Sequence, residues 1–417
     1  MRLTLRNIGI IESAKIEIDR ITAIAGFNGT GKSTVSKALY AIIQAYIGLP
    51  KRVTNARNNS VHMLILNYLD KQGLDFFFEN QELRSECRVL AHQLTERKKV
   101  IPDTFSGFLS FLPEKYRFID DGEMAAAYEP FRDQIREAVE RSDERYMEYL
   151  IGETFREIFD RQINTIGEDS EACVELSHNT SSVQVKFAEN KVISCTSALG
   201  RERLPIYISP KHLLDSFSGG ESRRYILVER DTFERNIHAD ILKKNETSEA
   251  TLEESEARDS ILRFIDSIVH GKLMINGQSV SYLDSDYAAP ISLTNLASGN
   301  KTIATLRRLL ENGTINNSSI LIVDEPESNL HPDWQVKLAE ILIMLNAKLG
   351  TRVAVNTHSP YFVRALEVYS QKWGIAEGCH YYKTDMSTAD KRKYITIDVT
   401  EDLQKVYSEL YMPLEEL

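Results

Sequence analysis

Gly26-Phe27-Asn28-Gly29-Thr30-Gly31-Lys32-Ser33-Thr34 is the stretch whose reading decides this chain. It has the G-x-x-x-x-G-K-[ST] spacing, in which glycines leave backbone N–H groups free to wrap phosphate oxygens. Ile21 to Ala25, just before it, reads as a short buried strand. After it, Val35, Leu39, Ile42 and Tyr46 recur at helical spacing, and Gly48-Leu49-Pro50 stops that helix. Strand, loop and helix in this order set the positive end of a helix dipole against an anion. Gly26, Asn28, Gly29, Thr30, Gly31, Lys32, Ser33 and Thr34 are therefore expected to cradle ATP. Lys32 reaches the β- and γ-phosphates, a catalytic as well as a binding role, and the Ser33 hydroxyl sits on Mg²⁺.

A second stretch supports the first. Ile320-Leu321-Ile322-Val323-Asp324-Glu325-Pro326 is an apolar run of the kind buried on both faces of a parallel sheet, ending in paired acids. Asp324 at the strand end is expected to hold Mg²⁺, with Ser33 as the other protein group on the metal. Glu325 is placed to orient or deprotonate the attacking water. Trp334 to Leu349 reads as a helix closed by Gly350. Arg352 to Asn356 is another short strand, leading into Thr357-His358-Ser359-Pro360. Ser359 suits an N-cap and Pro360 a first helical residue. That leaves His358 at a strand tip, facing the crevice of the other tips, as a catalytic sensor of the γ-phosphate.

Leu296-Ala297-Ser298-Gly299-Asn300 precedes a helix with Ile303, Leu306 and Leu310 on one face. It is similar to a degenerate ABC signature, in which Ser298 and Gly299 would complete the ATP site of a second subunit. Ser216-Phe217-Ser218-Gly219-Gly220-Glu221 is spelled closer to LSGGQ but lies far upstream of the acidic strand. We read it as a glycine loop, with Arg223 and Arg224 on the next helix.

The P-loop, the ASGNK segment, the VDEPESNLHP string and NTHSP together resemble ABC-type ATPases of the SMC, RecF and OLD group. The likeness is greatest to short OLD-like ATPases without TOPRIM from bacterial anti-phage defence systems, such as Septu-type ATPase subunits that act with a separate HNH nuclease. It is specific over residues 1–49 and 290–417. The resemblance implies an α/β ABC-type P-loop ATPase fold with an antiparallel β subdomain and helical insertions. It also implies Mg-ATP and a homodimer or higher oligomer built through composite ATP sites. One departure is that no Q-loop glutamine comes after the middle strands, where Ile206-Tyr207-Ile208-Ser209-Pro210 stands instead.

The function expected is an ATP-hydrolysing dimeric switch that senses or regulates in a defence system and controls a separately encoded effector, a nuclease or toxin. A RecF/SMC-like repair ATPase that clamps DNA is the alternative. An ATPase-like scaffold without turnover is a third, disfavoured by Glu325 and His358.

With 417 residues and 42% hydrophobic content the chain can bury a sizeable core. No apolar run is long enough to span a membrane, and the start shows no signal-peptide pattern, so the cytoplasm is expected. Cys87, Cys173, Cys195 and Cys379 form no C-x-x-C pair, which excludes a zinc hook and a disulfide framework. Cys379-His380 is expected to pack rather than bind metal. A net charge of −11 disfavours a nucleic-acid-coating protein. DNA binding would need a local patch among Arg97-Lys98-Lys99, Arg223-Arg224, Lys243-Lys244 or Lys391-Arg392-Lys393.

These anchors divide the chain. Residues 1–49 start the ATPase core, 50–165 form a helical insertion, and 166–210 supply an antiparallel part of the core. Residues 211–290 form a second helical insertion, with an acidic stretch over 246–256. Residues 291–417 close the core. The segment after Pro360 is too short for a TOPRIM domain, and Asp284-Ser285-Asp286 and Pro113-Glu114-Lys115 read as surface turns. No nuclease activity is expected of the chain itself.

Overall fold

The computed structural model describes residues 1–71, 81–96, 122–196, 203–209, 232–244, 251–277 and 279–415. Arg97-Lys98-Lys99, Pro113-Glu114-Lys115, the Ser216–Glu221 segment and Arg223-Arg224 lie outside the described residues. Two compact units divide the chain, one of residues 1–47 and 152–417, the other of residues 48–151.

The first unit carries an 11-stranded sheet among the described residues. Its antiparallel part begins with β1 (Arg2–Ile8) and β2 (Ile11–Glu17). Leu3, Leu5, Ile8, Ile11, Ala14 and Ile16 all fall on the buried face, and β1 pairs with β2 from Arg2↔Glu17 to Ile8↔Ile11. Period-two alternation at Leu3 and Leu5 against Ala14 and Ile16 fixes this register, because a slip of one residue would turn these side chains to solvent. At the tip the left-handed Asn7, φ 53°, breaks the alternation and brings Ile8 to the same face. β3 (Ile21–Ala25) is buried at every position and feeds the glycine loop. Helix α1 (Lys32–Tyr46) leaves that loop and buries Val35, Leu39, Ile42 and Tyr46.

In the second unit, α2 (Leu49–Lys71), α3 (Gln81–Glu96) and α4 (Gly122–Glu140) enclose a core of Val61, Ile65, Leu90, Phe131 and Ile135 among others. Tyr68 stacks on Phe131 with ring centroids 4.1 Å apart. Cys87 is buried there, which pushes its thiol up to about 12. Gly48, at φ 56°, breaks the chain from α1, and α2 starts at once with Pro50 in its first turn.

Ser142 caps α5 (Asp143–Ile158), accepting from the Arg145 N–H. β4 (Ala172–His178), β5 (Ser181–Ala188) and β6 (Lys191–Cys195) extend the antiparallel part beyond β1. β7 (Leu204–Ile208) joins the parallel part. The next helices among the described residues are α6 (Thr232–Leu242) and α7 (Leu252–Asp266). Thr251 caps α7 in a capping box with Glu254, so part of the acidic stretch is ordered helix.

Residues 211–290, expected from the sequence as a second helical insertion, also hold two strands. β8 (Gly271–Asn276) and β9 (Ser279–Asp284) form a separate antiparallel hairpin. At its far end the Asp284 carboxylate accepts the Asp286 N–H, which makes Asp284-Ser285-Asp286 a turn.

The chain then runs through α8 (Ser298–Glu311), β10 (Ser319–Asp324), α9 (Pro332–Leu349), β11 (Arg352–Thr357) and α10 (Pro360–Lys372). β12 (Cys379–Met386), β13 (Tyr394–Asp398) and α11 (Gln404–Glu415) complete it. β7, β10, β11, β3 and β12 are mutually parallel in that spatial order, and β13 pairs back to β2. All six residues of β10 are buried, which explains its unbroken apolar run. The molecule is thus an α/β fold, a parallel sheet continued by an antiparallel one with helices packed against it. No helix among the described residues is long and apolar enough to cross a membrane.

Candidate functional site

The parallel register brings the candidate residues together. Asp324 on β10 lies opposite Asn356 on β11, and Thr357 lies opposite Ala25, where β3 enters the glycine loop. These are the C-terminal tips of adjacent parallel strands, the place where open α/β sheets bind ligands.

The loop needs its glycines. Gly26 has φ 150°, and a Cβ there would sit 2.2 Å from the Thr384 Oγ1 on β12. Gly31 has φ 89°, and a Cβ there would sit 2.4 Å from the Ile11 Cδ1. Both conditions exclude larger residues. Thr30 closes the turn by donating to the Phe27 carbonyl at 2.8 Å, and its hydroxyl lies 2.6 Å from that of Thr384. Phe27, Asn28 and Gly29 form the exposed rim.

Lys32 is 4% exposed, and its ammonium donates to the carbonyls of Gly26 at 2.8 Å and Phe27 at 2.6 Å. Burial pulls its pKa below the ordinary value, while Glu325, Glu327 and Asp324 oppose that shift by their charge. Ser33 donates to the Asp324 Oδ1 at 3.1 Å. Asn356 donates to the same oxygen at 2.7 Å and is itself held by the Ser36 hydroxyl at 2.9 Å.

Glu325 adopts a left-handed backbone, φ 51°, and its N–H donates to the Asn356 carbonyl at 3.0 Å. A non-glycine residue in that region stores on the order of 1–3 kcal/mol, and such strain clusters at functional sites. Its carboxylate is half-buried and accepts from the Ser328 hydroxyl at 3.4 Å.

His358 stands at the tip of β11, with its side chain 39% exposed and its Nδ1 3.1 Å from the Glu327 Oε1. That same oxygen accepts the His358 N–H at 2.5 Å and the Thr357 hydroxyl at 2.7 Å. Glu327 is buried, which raises its pKa against these donors. Ser359 caps α10 by accepting the Phe362 N–H at 3.3 Å, and its hydroxyl donates to Gln335 at 2.6 Å.

Ser298 and Gly299 start α8. Gly299 packs on the segment after the acidic pair, and a Cβ there would sit 2.3 Å from the Leu330 Cδ2. Beside the loop, a cavity of about 400 Å³ is lined by Gly9, Ile10, Thr34, Lys37 and Arg392 among others.

Four participants escaped the sequence reading: Tyr207, Asn356, Glu327 and Thr384. Tyr207 donates to the Asp324 Oδ2 at 2.8 Å from the segment in which no glutamine was found. Asn356 and Glu327 lay inside NTHSP and VDEPESNLHP and carried a signal, being polar residues next to buried strand ends. Thr384 carried none.

The other candidates among the described residues take part in packing or in surface ion pairs. The Cys379 thiol is buried and donates to the Ile375 carbonyl at 3.3 Å. Among the described basic runs, Lys243 pairs with Asp240, Arg392 with Asp390 and Lys393 with Glu168.

A model of the AAA ATPase domain family matches residues 1–363. No curated protein matches the chain. Among solved structures, an SMC head domain from Thermotoga maritima is similar at 10% identity and a TM-score of 0.36, covering 95% of this chain and 98% of that one. An Smc head bound to the C-terminal winged-helix domain of ScpA gives 9% and 0.42, covering 97% and 98%. The recombination mediator RecF gives 12% and 0.38, covering 95% and 97%.

Proposed function

Since the chain belongs to the AAA ATPase domain family, we propose that it binds Mg-ATP at the strand-tip cluster and hydrolyses it as a switch between paired subunits. The observation that carries this reading is the Ser33–Asp324–Asn356 hydrogen-bonded group lying directly after a loop that only glycine can form. The residues fit the group they would hold. Gly26 and Gly31 leave the loop backbone uncovered, Lys32 supplies a buried cation, and Ser33 and Asp324 present adjoining oxygens. Ser33 and Asp324 would hold Mg²⁺, which neutralises charge on the phosphates when bound. Lys32 would exchange its two carbonyl partners for phosphate oxygens.

Glu325 would orient or deprotonate water, and its left-handed backbone supports a residue held in place for function. His358, steadied through Glu327, would contact the γ-phosphate. Thr34 and the cavity beside it would take the nucleoside part. Ser298 and Gly299, at the start of α8, would serve the site of a second copy, as their likeness to an ABC signature implies.

The biological reading is a sensor or regulator of an anti-phage defence system that controls a separately encoded effector. A net charge of −11 favours a protein partner over a DNA clamp of RecF/SMC type, and among the described basic runs Lys243, Arg392 and Lys393 are paired with carboxylates. The test supplies purified protein with Mg-ATP and with plasmid, linear DNA, single strands and tRNA, alone and with the product of a neighbouring gene. ATP turnover without cleavage, then cleavage or toxicity once the neighbour is added, is expected. Degradation that co-elutes with the chain and vanishes on mutating its own residues would overturn the regulator reading. ATP-dependent retention of DNA with no effector would favour the clamp.

A further inference from the structure

Asp324 divides its two oxygens between different parts of the molecule. Oδ1 takes the Ser33 hydroxyl and the Asn356 amide, both from elements that adjoin the glycine loop. Oδ2 takes the Tyr207 hydroxyl at 2.8 Å, from β7 at the sheet edge. Tyr207 is 5% exposed and lies opposite Ile322 in the strand register, two positions before Asp324. Its ring does not end in inert packing. It lies against Phe233 of α6, with centroids 4.1 Å apart and planes at 31°. Tyr40 of α1 meets Tyr207 edge-on at 5.8 Å and Phe233 at 4.9 Å. The Tyr40 hydroxyl accepts from Asn236, about one turn further along α6, at 2.6 Å.

We propose that Tyr207 is a positioning residue for the metal-holding carboxylate, and that Phe233 makes the seating of α6 a control on metal affinity. This rests on the reading of Asp324 as a Mg²⁺ group.

A carboxylate anchored through both oxygens by neutral donors keeps its charge and loses its rotational freedom. It then meets a cation in one orientation. Outer partners of this kind typically change metal affinity about 10–100-fold when removed. The donor needs holding in its turn. A phenol turns about two side-chain torsions, and here the ring faces that stop it belong to α1 and α6. α1 is fixed by the loop it leaves, whereas α6 is held at its C-terminal end by α8, whose Arg308 and Asn312 donate to the Ile241 and Asp240 carbonyls at 3.0 and 2.7 Å. A shift of α6 would therefore reach the Oδ2 contact through one aromatic ring. Aromatic pairs at these separations have preferred geometries and resist sliding.

The experiment measures metal directly. Mn²⁺ is titrated by electron paramagnetic resonance in the presence of a non-hydrolysable ATP analogue, for wild type, Tyr207→Phe and Phe233→Leu. A fluorescent ATP analogue in EDTA reads nucleotide binding without metal. Tyr207→Phe keeps the ring and removes the hydroxyl, so Mn²⁺ affinity should fall about tenfold or more while metal-free nucleotide binding stays within about twofold. Phe233→Leu should weaken Mn²⁺ in the same direction, although it touches neither metal nor nucleotide, and it keeps the test alive should Tyr207→Phe not fold. A purely structural role would lower the melting temperature and leave both affinities alone. Mn²⁺ affinity within about twofold of wild type in folded Tyr207→Phe would overturn the proposal by itself. Absence of nucleotide and Mn²⁺ binding in the wild type would overturn the Mg-ATP reading, and the proposal with it.

Discussion

Lys32→Met separates what the lysine does for the fold from what it does for a nucleotide. The ammonium is buried and makes two hydrogen bonds, to Gly26 and Phe27. Bonds to a charged group contribute roughly 1.5–3 kcal/mol each, so their loss alone would cost about 3–6 kcal/mol. Burying a cation costs several kcal/mol in the opposite sense, and methionine keeps the stem without that cost. The two effects offset, and the nucleotide-free variant should lie within about 2 kcal/mol of the parent. Mg-ATP at about 100 times its Kd adds about 2.7 kcal/mol to the parent and should add nothing to the variant. Differential scanning fluorimetry with and without Mg-ATP reads both.

The pH dependence carries a definite sign. Burial holds the Lys32 pKa below the ordinary 10.5. A charged Lys32 therefore destabilises the nucleotide-free fold below its folded pKa, and the deficit is relieved as pH rises through that value towards 10.5. In that window the unfolded chain binds more protons than the folded one, and stability rises with pH. The difference between parent and Lys32→Met should shift towards the parent in alkaline buffer. An equal ATP-induced rise in melting temperature in both proteins, or none in the parent, would refute the reasoning.

Glu325→Gln should retain ATP binding and lose turnover by about 10²–10⁴, the usual contribution of a general base, and normal phosphate release would show the role to be misassigned. Ser298→Arg should bind ATP yet fail in hydrolysis and in ATP-driven pairing measured by light scattering, with Ser218→Arg milder; the reverse ranking would show that the wrong serine had been chosen. Gly26→Ala should be destabilised by roughly 2–4 kcal/mol in urea melts, from backbone strain plus the overlap with Thr384. Adding Thr384→Ala should recover part of that loss, and strict additivity of the two changes would refute the overlap.

The legible parts of the site were those written in consecutive residues. The glycine loop, the acidic strand end and the Ser359 cap each depend on side chains a few positions apart, so spacing alone carries them. Tyr207 and Thr384 could not be read this way. Their partners stand 117 and 354 positions away, and only sheet order brings them together. The β8–β9 hairpin is a different miss, since its signal was present. Asn276-Gly277, with Gly277 at φ 62°, is flanked by alternating Leu273, Ile275, Val280 and Tyr282, a strong short-range mark of a hairpin. Helical neighbours on either side drew the whole of 211–290 into one class. Strand order was beyond reach because burial pattern marks a strand without naming its neighbour.

The hydroxyl contact between Thr30 and Thr384 also bears on how the molecule is made. A ribosome adding about 5–20 residues per second needs roughly 20–70 s to travel from the glycine loop to the threonine that braces it. Through that interval β3 has emerged while β10, β11 and β12, its sheet neighbours and theirs, have not all been synthesised. An early fragment holds the whole glycine loop and none of the far-side supports that shape it. Nucleotide competence should thus arrive late and abruptly during translation, and truncated chains ending before β12 should depend on chaperones rather than on ATP for protection.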